Sequence, residues 1–429
     1  MIVSLSSNLV AQTWVALGSG TNDWVTALKE DTANSILYAG GYFTQAGGNS
    51  ISHIAKWNGT NWTSLGLGVD QGVHALEIIN GDLYVGGEFL NAGGISATRI
   101  AKYDGVTWTT FGTGLGGSVN GITEYNGEIY AGGFAGLKKW NGSAWINVGS
   151  GIGGSNPSVL ALKVFNSELY VAGIFGTAGG LTANGLAKWN GSVWSIPGGT
   201  GLNNFGTAYA LEIFNGELYV GGHFSSVGGV SSTCLAKWNG ANWAAVGGGV
   251  SGGIFGFDTS INKLKVINNF LYLGGNFDSA GGATANFVAL WNGNSFSNLG
   301  TGTNERVYSL ESFNGDLIAG GQFSQAGGTV VNNISKWIIP SGIEKIDSNN
   351  EVIIYPNPSA NIFIIAFGRT ISKGAIEVLT IIGNKVYETK IFNESEKEIE
   401  LKSILTGIYF VKVFDGEKSH CKKLIVERD

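Results

Sequence analysis

Cysteine, proline and charge are all scarce in this chain. Only two cysteines, Cys234 and Cys421, stand among 429 residues. They fall on opposite sides of a compositional break, so neither a disulfide nor a cysteine-based metal site is expected. Five prolines against 70 glycines exclude both a collagen-like chain and a proline-rich linker. Charged residues make up 13% with a net charge of −6, which offers no basic footprint for nucleic acid. No apolar run reaches the ~18 residues of a membrane span. What the chain does carry is 13 Trp, 14 Tyr and 22 Phe, more than a disordered chain holds. Abundant glycine beside abundant aromatics predicts tight turns between packed strands.

The break lies near residue 342. Residues 343–429 hold 12 Lys/Arg and 13 Asp/Glu, nearly as many as the 13 and 18 of the first 342 residues. All 13 tryptophans lie before it. Pro340-Ser341-Gly342 suits a linker, taken as 340–350, between a domain over 12–339 and another over 351–429. Residues 1–11, MIVSLSSNLVA, resemble the end of a signal peptide, although the positively charged first part is missing.

A repeat organises the first domain. A glycine pair closes an apolar run in LYAGGYF (37–43), LYVGGEF (83–89), IYAGGF (129–134), LYVAGIF (169–175), LYVGGHF (218–224), LYLGGNF (271–277) and LIAGGQF (317–323). Seven copies at roughly 40–50 residues suit four-stranded propeller blades. In the second copy VHALEII and DLYVGGEF flank Asn80-Gly81, a dipeptide that favours a tight hairpin. RIAKY and TWTTFG flank Asp104-Gly105 in the same way. The order is strand a, tight turn, b, longer loop, c, tight turn, d.

The last copy stops after SKWII (335–339) and lacks strand d, whereas TWVALGSG (13–20) at the other end matches NWTSLGLG (61–68). The expectation is an all-β, seven-bladed β-propeller closed by an N-terminal strand, since sewing the ends together removes an exposed edge. The pattern resembles kelch propellers over 12–339. It departs from them in its W-N-G-x-x-W aromatics, so the resemblance carries the architecture and no kelch partner.

Residues 343–429 resemble the type A C-terminal sorting domain of type IX secretion substrates from Bacteroidetes-type bacteria. IYPNPS (354–359), VLTIIGNKVYE (378–388), LTGIYFVKV (405–413) and KKLIVE (422–427) occur in the family's order. The motif residues are Tyr355, Pro356, Asn357, Pro358, Gly383, Gly407, Tyr409, Lys422 and Lys423. Alternating runs such as EIELKSI independently imply half-buried strands and a small immunoglobulin-like β-sandwich. The resemblance implies recognition by the outer-membrane secretion machinery, then release or attachment at the cell surface.

Within the repeats, acids that recur at one position read as scaffold. Asp82, Glu128, Glu168, Glu217 and Asp316 all follow an a–b turn; Glu77, Glu124, Glu212 and Glu311 all end strand a's apolar core; the c-strand lysines can pair with them. Variation belongs to the face bearing the b–c and d–a loops, where a binding site is expected. Its d–a loops carry Asp23, Asp70, Asp258 and Glu305 with Arg306, an acidic arc on contiguous blades. Longer connections add Asn203, Asn204, Phe205, Phe255 and Phe257. Exposed aromatics beside amides and carboxylates can stack on and hydrogen-bond a sugar. The histidines His53, His74 and His223 do not cluster and read as incidental.

Nucleophile-elbow, zinc-protease and phosphate-loop motifs are missing. No cofactor is expected, and spacing alone does not show the converging oxygens of a calcium site. The first expectation is a monomeric, secreted binding or adhesion propeller for a glycan or surface protein. The alternative is a secreted carbohydrate-active enzyme using two carboxylates of the arc ~5–10 Å apart.

Overall fold

The computed structural model describes residues 13–203, 206–254, 258–339, 352–359, 362–380, 383–401, 404–416 and 419–427. The expectations for residues 1–11 and 340–350, and for Asn204, Phe205, Phe255 and Phe257, fall outside these residues. Among those described the fold is all-β, without a helix. Two compact units divide at residue 338.

In the first unit the described strands form seven four-stranded antiparallel sheets. Sheet 1 holds strand a (Val25–Asp31), b (Ile36–Gly41), c (Ile54–Trp57) and d (Trp62–Ser64). The following sheets repeat this order, their a-strands being Val73–Ile79, Val119–Tyr125, Ser158–Phe165, Thr207–Phe214, Ser260–Ile267 and Val307–Phe313. In sheet 7, strand d is the N-terminal segment Trp14–Ala16, with Trp14 opposite Trp337 and Ala16 opposite Ser335. Each a-strand lies against the a-strand of the next sheet, and that of sheet 7 lies against that of sheet 1.

The glycine pair is explained by two different close approaches. A Cβ on the first glycine would meet the residue that opens the next sheet's apolar core. Gly40 would come within 2.4 Å of Val73, Gly86 within 2.5 Å of Val119, and Gly320 within 2.6 Å of Val25. A Cβ on the second glycine would strike a backbone carbonyl of its own sheet, 2.0 Å away for Gly41 and 1.8 Å for Gly133. A side chain can be trimmed by evolution and a carbonyl cannot. Accordingly the second glycine is present in all seven copies, while the first is Ala172 in sheet 4. There the opposing residue is Ala208 in place of valine or isoleucine, and both are buried in one core cluster.

Outer tryptophans link neighbouring sheets. The indole Nε1 of Trp62 donates to Leu17 O at 3.0 Å, Trp108 to Leu65 O at 3.0 Å, Trp194 to Val148 O at 3.1 Å and Trp243 to Pro197 O at 3.0 Å. Trp14 donates to Leu299 O at 3.0 Å, so the N-terminal strand is bonded to the sheets on both sides. Trp145 has no partner for its Nε1, and sheet 6 has Phe296 at this position.

The W-N-G turns between c and d share one device. Asn58 Oδ1 accepts from the N–H groups of Thr60 and Asn61, and Asn141, Asn190, Asn239 and Asn292 do the same. Asp104 alone among them is a carboxylate. It accepts from Val106 N at 2.8 Å and Thr107 N at 2.7 Å, contacts that hold its pKa down at about 2.

The second unit is built from a three-stranded and a four-stranded antiparallel sheet. The first contains Ile353–Tyr355, Ile362–Ile371 and Glu394–Glu400; the second contains Lys385–Ile391, Gly374–Thr380, Gly407–Phe414 and Ser419–Val426. Alternation places Phe363 and Ile365 from one sheet with Ile376, Val411 and Leu424 from the other in one core.

Candidate functional site

Two ends of the a-strands differ in what they gather. Near the a–b turns the strands carry charge in register. The same position is Lys29, Glu77, Thr123, Lys163, Glu212, Lys265 and Glu311 in sheets 1 to 7. Lys29 pairs with Glu77, Lys163 with Glu212 (2.5 Å) and Lys265 with Glu311. These groups line a cavity of about 510 Å³ together with Lys263. Enclosure lowers the Lys263 pKa below its usual value, against the opposing pull of Glu311. The expected partnership between c-strand lysines and acids is real for one set only: Lys102 pairs with Asp82 (2.7 Å), Lys188 with Glu168 (2.5 Å) and Lys237 with Glu217 (2.7 Å). Glu77, Glu212 and Glu311 instead find a-strand lysines of the preceding sheet.

At the other end, the residue after each glycine pair and the residues flanking the start of strand a come together. On sheets 7, 1 and 2 they form a chain of ring contacts. Tyr308 lies 5.8 Å from Trp24, Trp24 lies 6.0 Å from Tyr42, and Tyr42 lies 5.5 Å from the His74 ring. Trp24 keeps 38% of its surface exposed. The Tyr42 hydroxyl donates to Glu88 Oε1 at 3.3 Å, and His74 Nε2 stands 3.2 Å from the same oxygen. Desolvation first, then the Glu88 charge and hydrogen bond, push the Tyr42 pKa up to about 12. The phenol therefore stays protonated and serves as a donor. Tyr308 donates to Gln322 Oε1 at 2.9 Å, and desolvation raises its pKa as well.

The acidic-arc residues divide. Asp23 is exposed beside this cluster and accepts from Trp24 N at 2.7 Å. Asp258 accepts from Arg306 Nη2 at 2.5 Å. Glu305 is half-buried three residues before Tyr308, and its charge adds to the desolvation that raises the Tyr308 pKa, against the opposing pull of Arg306. Asp70 accepts from Leu90 N (2.8 Å), Asn91 N (3.0 Å) and Asn91 Nδ2 (2.7 Å). Desolvation opposes ionisation there, but the hydrogen bonds from Asn91 and Leu90 outweigh it and lower the pKa. Asn203 Oδ1 accepts from Ser225 N (2.8 Å) and Ser226 N (3.1 Å) in the same way, as do Asn22 and Asn304 in their own sheets. Asp70 and Asn203 thus occupy a recurring scaffold position that varying loop length hides in the sequence.

The aromatic cluster itself was missed by sequence reasoning, which took His74 as incidental. The signal was available: the slot after the glycine pair holds Tyr42, Glu88, Phe134, Ile174, His223, Asn276 and Gln322, and this slot faces the cluster on consecutive sheets. His223 is engaged elsewhere, its Nδ1 lying 2.7 Å from Thr259 O. Among the described residues no group of His, Cys, Asp and Glu could hold a metal ion.

In the second unit, the Tyr355-Pro356-Asn357-Pro358 segment is fastened to the last strand. Both X–Pro bonds are cis. Asn357 Nδ2 donates to Lys423 O at 2.7 Å, and Asn357 Oδ1 accepts from Ile425 N at 2.8 Å. The side-chain amide thereby stands in for a neighbouring strand where flanking prolines offer no N–H. Ser359 continues the pairing through Ile425 O and Glu427 N, both at 2.9 Å. Gly383 takes a positive φ of 80° in its turn, Gly407 pairs with Val426, and the buried Tyr409 donates to Leu405 O at 2.8 Å. Lys422 is half-exposed and Lys423 exposed on the strand that Asn357 grips.

Residues 353–427 match the family of secretion system C-terminal sorting domains. This segment is a type IX secretion signal. The protein carrying it is exported to the outer cell surface, where it is attached or released, and the sorting domain implies interaction with the type IX machinery. No curated protein matches the chain. Among solved structures, the extracellular domain of a hybrid two-component system from B. thetaiotaomicron is similar at 11% identity with a TM-score of 0.50. The match covers 97% of this chain and 59% of that one. The GH74 enzyme of Niastella koreensis matches at 13% identity and a TM-score of 0.37, over 97% of this chain and 75% of its own. A computationally designed protein, Ika8, matches at 12% identity and a TM-score of 0.43, over 97% of this chain and all of its own.

Proposed function

We propose that residues 12–339 are a seven-bladed, kelch-like β-propeller that binds glycan at the cell surface through the ring cluster at its loop-rich mouth. The seven four-stranded sheets, the contact between the a-strands of sheets 7 and 1, and the pairing of Trp14 with Trp337 support the closed architecture. The observation carrying the function is the chain of rings Tyr308, Trp24, Tyr42 and His74, partly exposed and flanked by Asp23, Glu88 and Gln322. Aromatic faces stack on the C–H faces of pyranose rings, and carboxylates and amides accept from hydroxyls. Two of the arc carboxylates, Asp70 and Asp258, are engaged by the protein's own donors, Leu90, Asn91 and Arg306, and not turned toward a substrate. Binding is therefore favoured over hydrolysis.

The full chain on a glycan array tests this reading. Retention of a set of oligosaccharides is expected, with Trp24→Ala weakening affinity about tenfold or more, equivalent to ~1.4 kcal/mol. An empty array, or Trp24→Ala binding as well as the parent, overturns it.

A further inference from the structure

The mouth is ringed by a wall with one gap. In six sheets the b–c connection folds into a short hairpin: residues 45–50, 91–96, 177–182, 226–231, 279–284 and 325–330. Each packs its turn glycine on the outer aromatic of strand d, as Gly47 does on Trp62 and Gly93 on Trp108. Each is also braced by the incoming d–a loop, through bridges such as Thr21 to Ala46 and Val69 to Ala92. Sheet 3 has none of this. Its strand b ends at Gly133 and strand c begins at Gly136, leaving only Phe134 and Ala135 between them. Trp145, the outer aromatic there, lacks both the hairpin cover and an indole partner.

Phe134 stands in this gap with 57% of its surface exposed. It fills the same slot as Tyr42 in sheet 1 and Glu88 in sheet 2, so it continues the series Tyr308, Trp24, Tyr42, His74 onto the next sheet round the ring. The steps within that series, 5.8, 6.0 and 5.5 Å, are comparable to the advance of one sugar along an extended chain. A compact ligand would need one platform and a closed wall. A track over four consecutive sheets that ends at a missing wall segment fits a polymer.

We propose that the mouth binds an internal stretch of a long polysaccharide, which runs along the rings of sheets 7, 1 and 2 and leaves over Phe134 through the gap at sheet 3. The proposal rests on the glycan reading above and adds the ligand's length and direction. Closure of the gap is equivalent to giving sheet 3 the hairpin its neighbours have.

The test uses the full chain and cello-, manno- and chito-oligosaccharides from dimer to octamer, with affinity measured by calorimetry. In the parent, affinity for the retained series rises at least tenfold from dimer to octamer. Phe134→Ala lowers octamer affinity more than dimer affinity and so flattens that rise. Replacing Ala135 by the sheet 1 hairpin sequence Gln-Ala-Gly-Gly-Asn-Ser lowers octamer affinity without touching the dimer. Trp24→Ala weakens every length alike. Length-independent binding that remains sensitive to Trp24→Ala overturns the track while leaving the glycan reading intact. A Phe134→Ala variant that loses dimer and octamer equally also overturns it. Absence of binding at any length, together with an empty glycan array, removes both.

Discussion

Gly40 and Val73 form the sharpest test of how neighbouring sheets are fitted together. A Cβ on Gly40 would lie 2.4 Å from Val73 Cγ1 and 2.8 Å from its Cβ, against an optimal carbon–carbon separation of about 3.5–4.0 Å. Relief requires more than an ångström of movement at a buried contact between two packed strands, and overpacking of this kind costs ~1–3 kcal/mol. Val73→Ala alone removes two methyl groups from a buried site, about 1.6 kcal/mol at ~0.8 kcal/mol per group. Together the changes recreate the pairing that sheet 4 already uses, Ala172 with Ala208. Gly40→Ala/Val73→Ala is therefore expected to be no less stable than Val73→Ala alone, a coupling of about 1–3 kcal/mol. Urea unfolding followed by tryptophan fluorescence is the assay, because all 13 tryptophans lie in the first unit and the sorting domain is silent. Gly41→Ala is the control: its clash at 2.0 Å is with Trp24 O, so trimming Val73 gives no rescue. Strictly additive losses for Gly40→Ala and Val73→Ala, or rescue of Gly41→Ala, would refute the reasoning.

Trp62→Phe removes the indole bond to Leu17 O and is expected to cost about 1 kcal/mol beyond packing. Trp145→Phe, lacking that bond, should cost measurably less in the same unfolding assay; equal losses would deny the girdle its role. Asp104 concerns pH. Its folded pKa is depressed to about 2 by Thr107 and Val106 donors, so its contribution is complete above the ordinary carboxylate pKa and fades as pH falls through about 2. Asp104→Asn, the residue five other turns use, should leave stability at pH 7 unchanged and remove that acid-side loss, as followed by thermal unfolding from pH 7 to pH 2.

Much of the fold was legible because its signals are local and repeated. Asn-Gly pairs mark the a–b turns of sheets 2, 3, 5 and 7, and Asn80 and Gly81 both take positive φ. The split of one repeat between the two ends pointed to the Trp14 segment lying beside the last c-strand, and the two strands pair with Trp14 opposite Trp337. The face bearing the b–c and d–a loops was harder to read. Comparison of repeats discards whatever varies, and Trp24, Tyr42, Glu88 and Tyr308 sit where the copies disagree. Comparison also fails where spacing drifts, so Asp70 and Asn203 looked singular although Asn22 and Asn304 perform the same task in sheets 1 and 7. Partner choice was equally hidden: Glu77 and Asp82 are close in sequence, yet one reaches Lys29 on the previous strand a and the other reaches Lys102 in its own sheet.

The charge belt near the a–b turns has a consequence of parity. Signs run plus, minus, neutral, plus, minus, plus, minus from Lys29 through Thr123 to Glu311. Because the a-strand of sheet 7 lies against that of sheet 1, these seven positions cannot alternate in sign without two equal signs meeting unless one seat is left blank. Thr123 is that blank seat, and it lets Glu77 and Lys163 flank it without any like-charged neighbours elsewhere. Duplicating any one of the six charged repeats would put two like charges side by side, as would deleting a charged repeat that stands between two others, whereas loss of the Thr123 repeat, or gain or loss of an adjacent Lys–Glu couple, would not. The belt therefore resists duplication of a charged repeat and tolerates change at the neutral seat or in Lys–Glu couples.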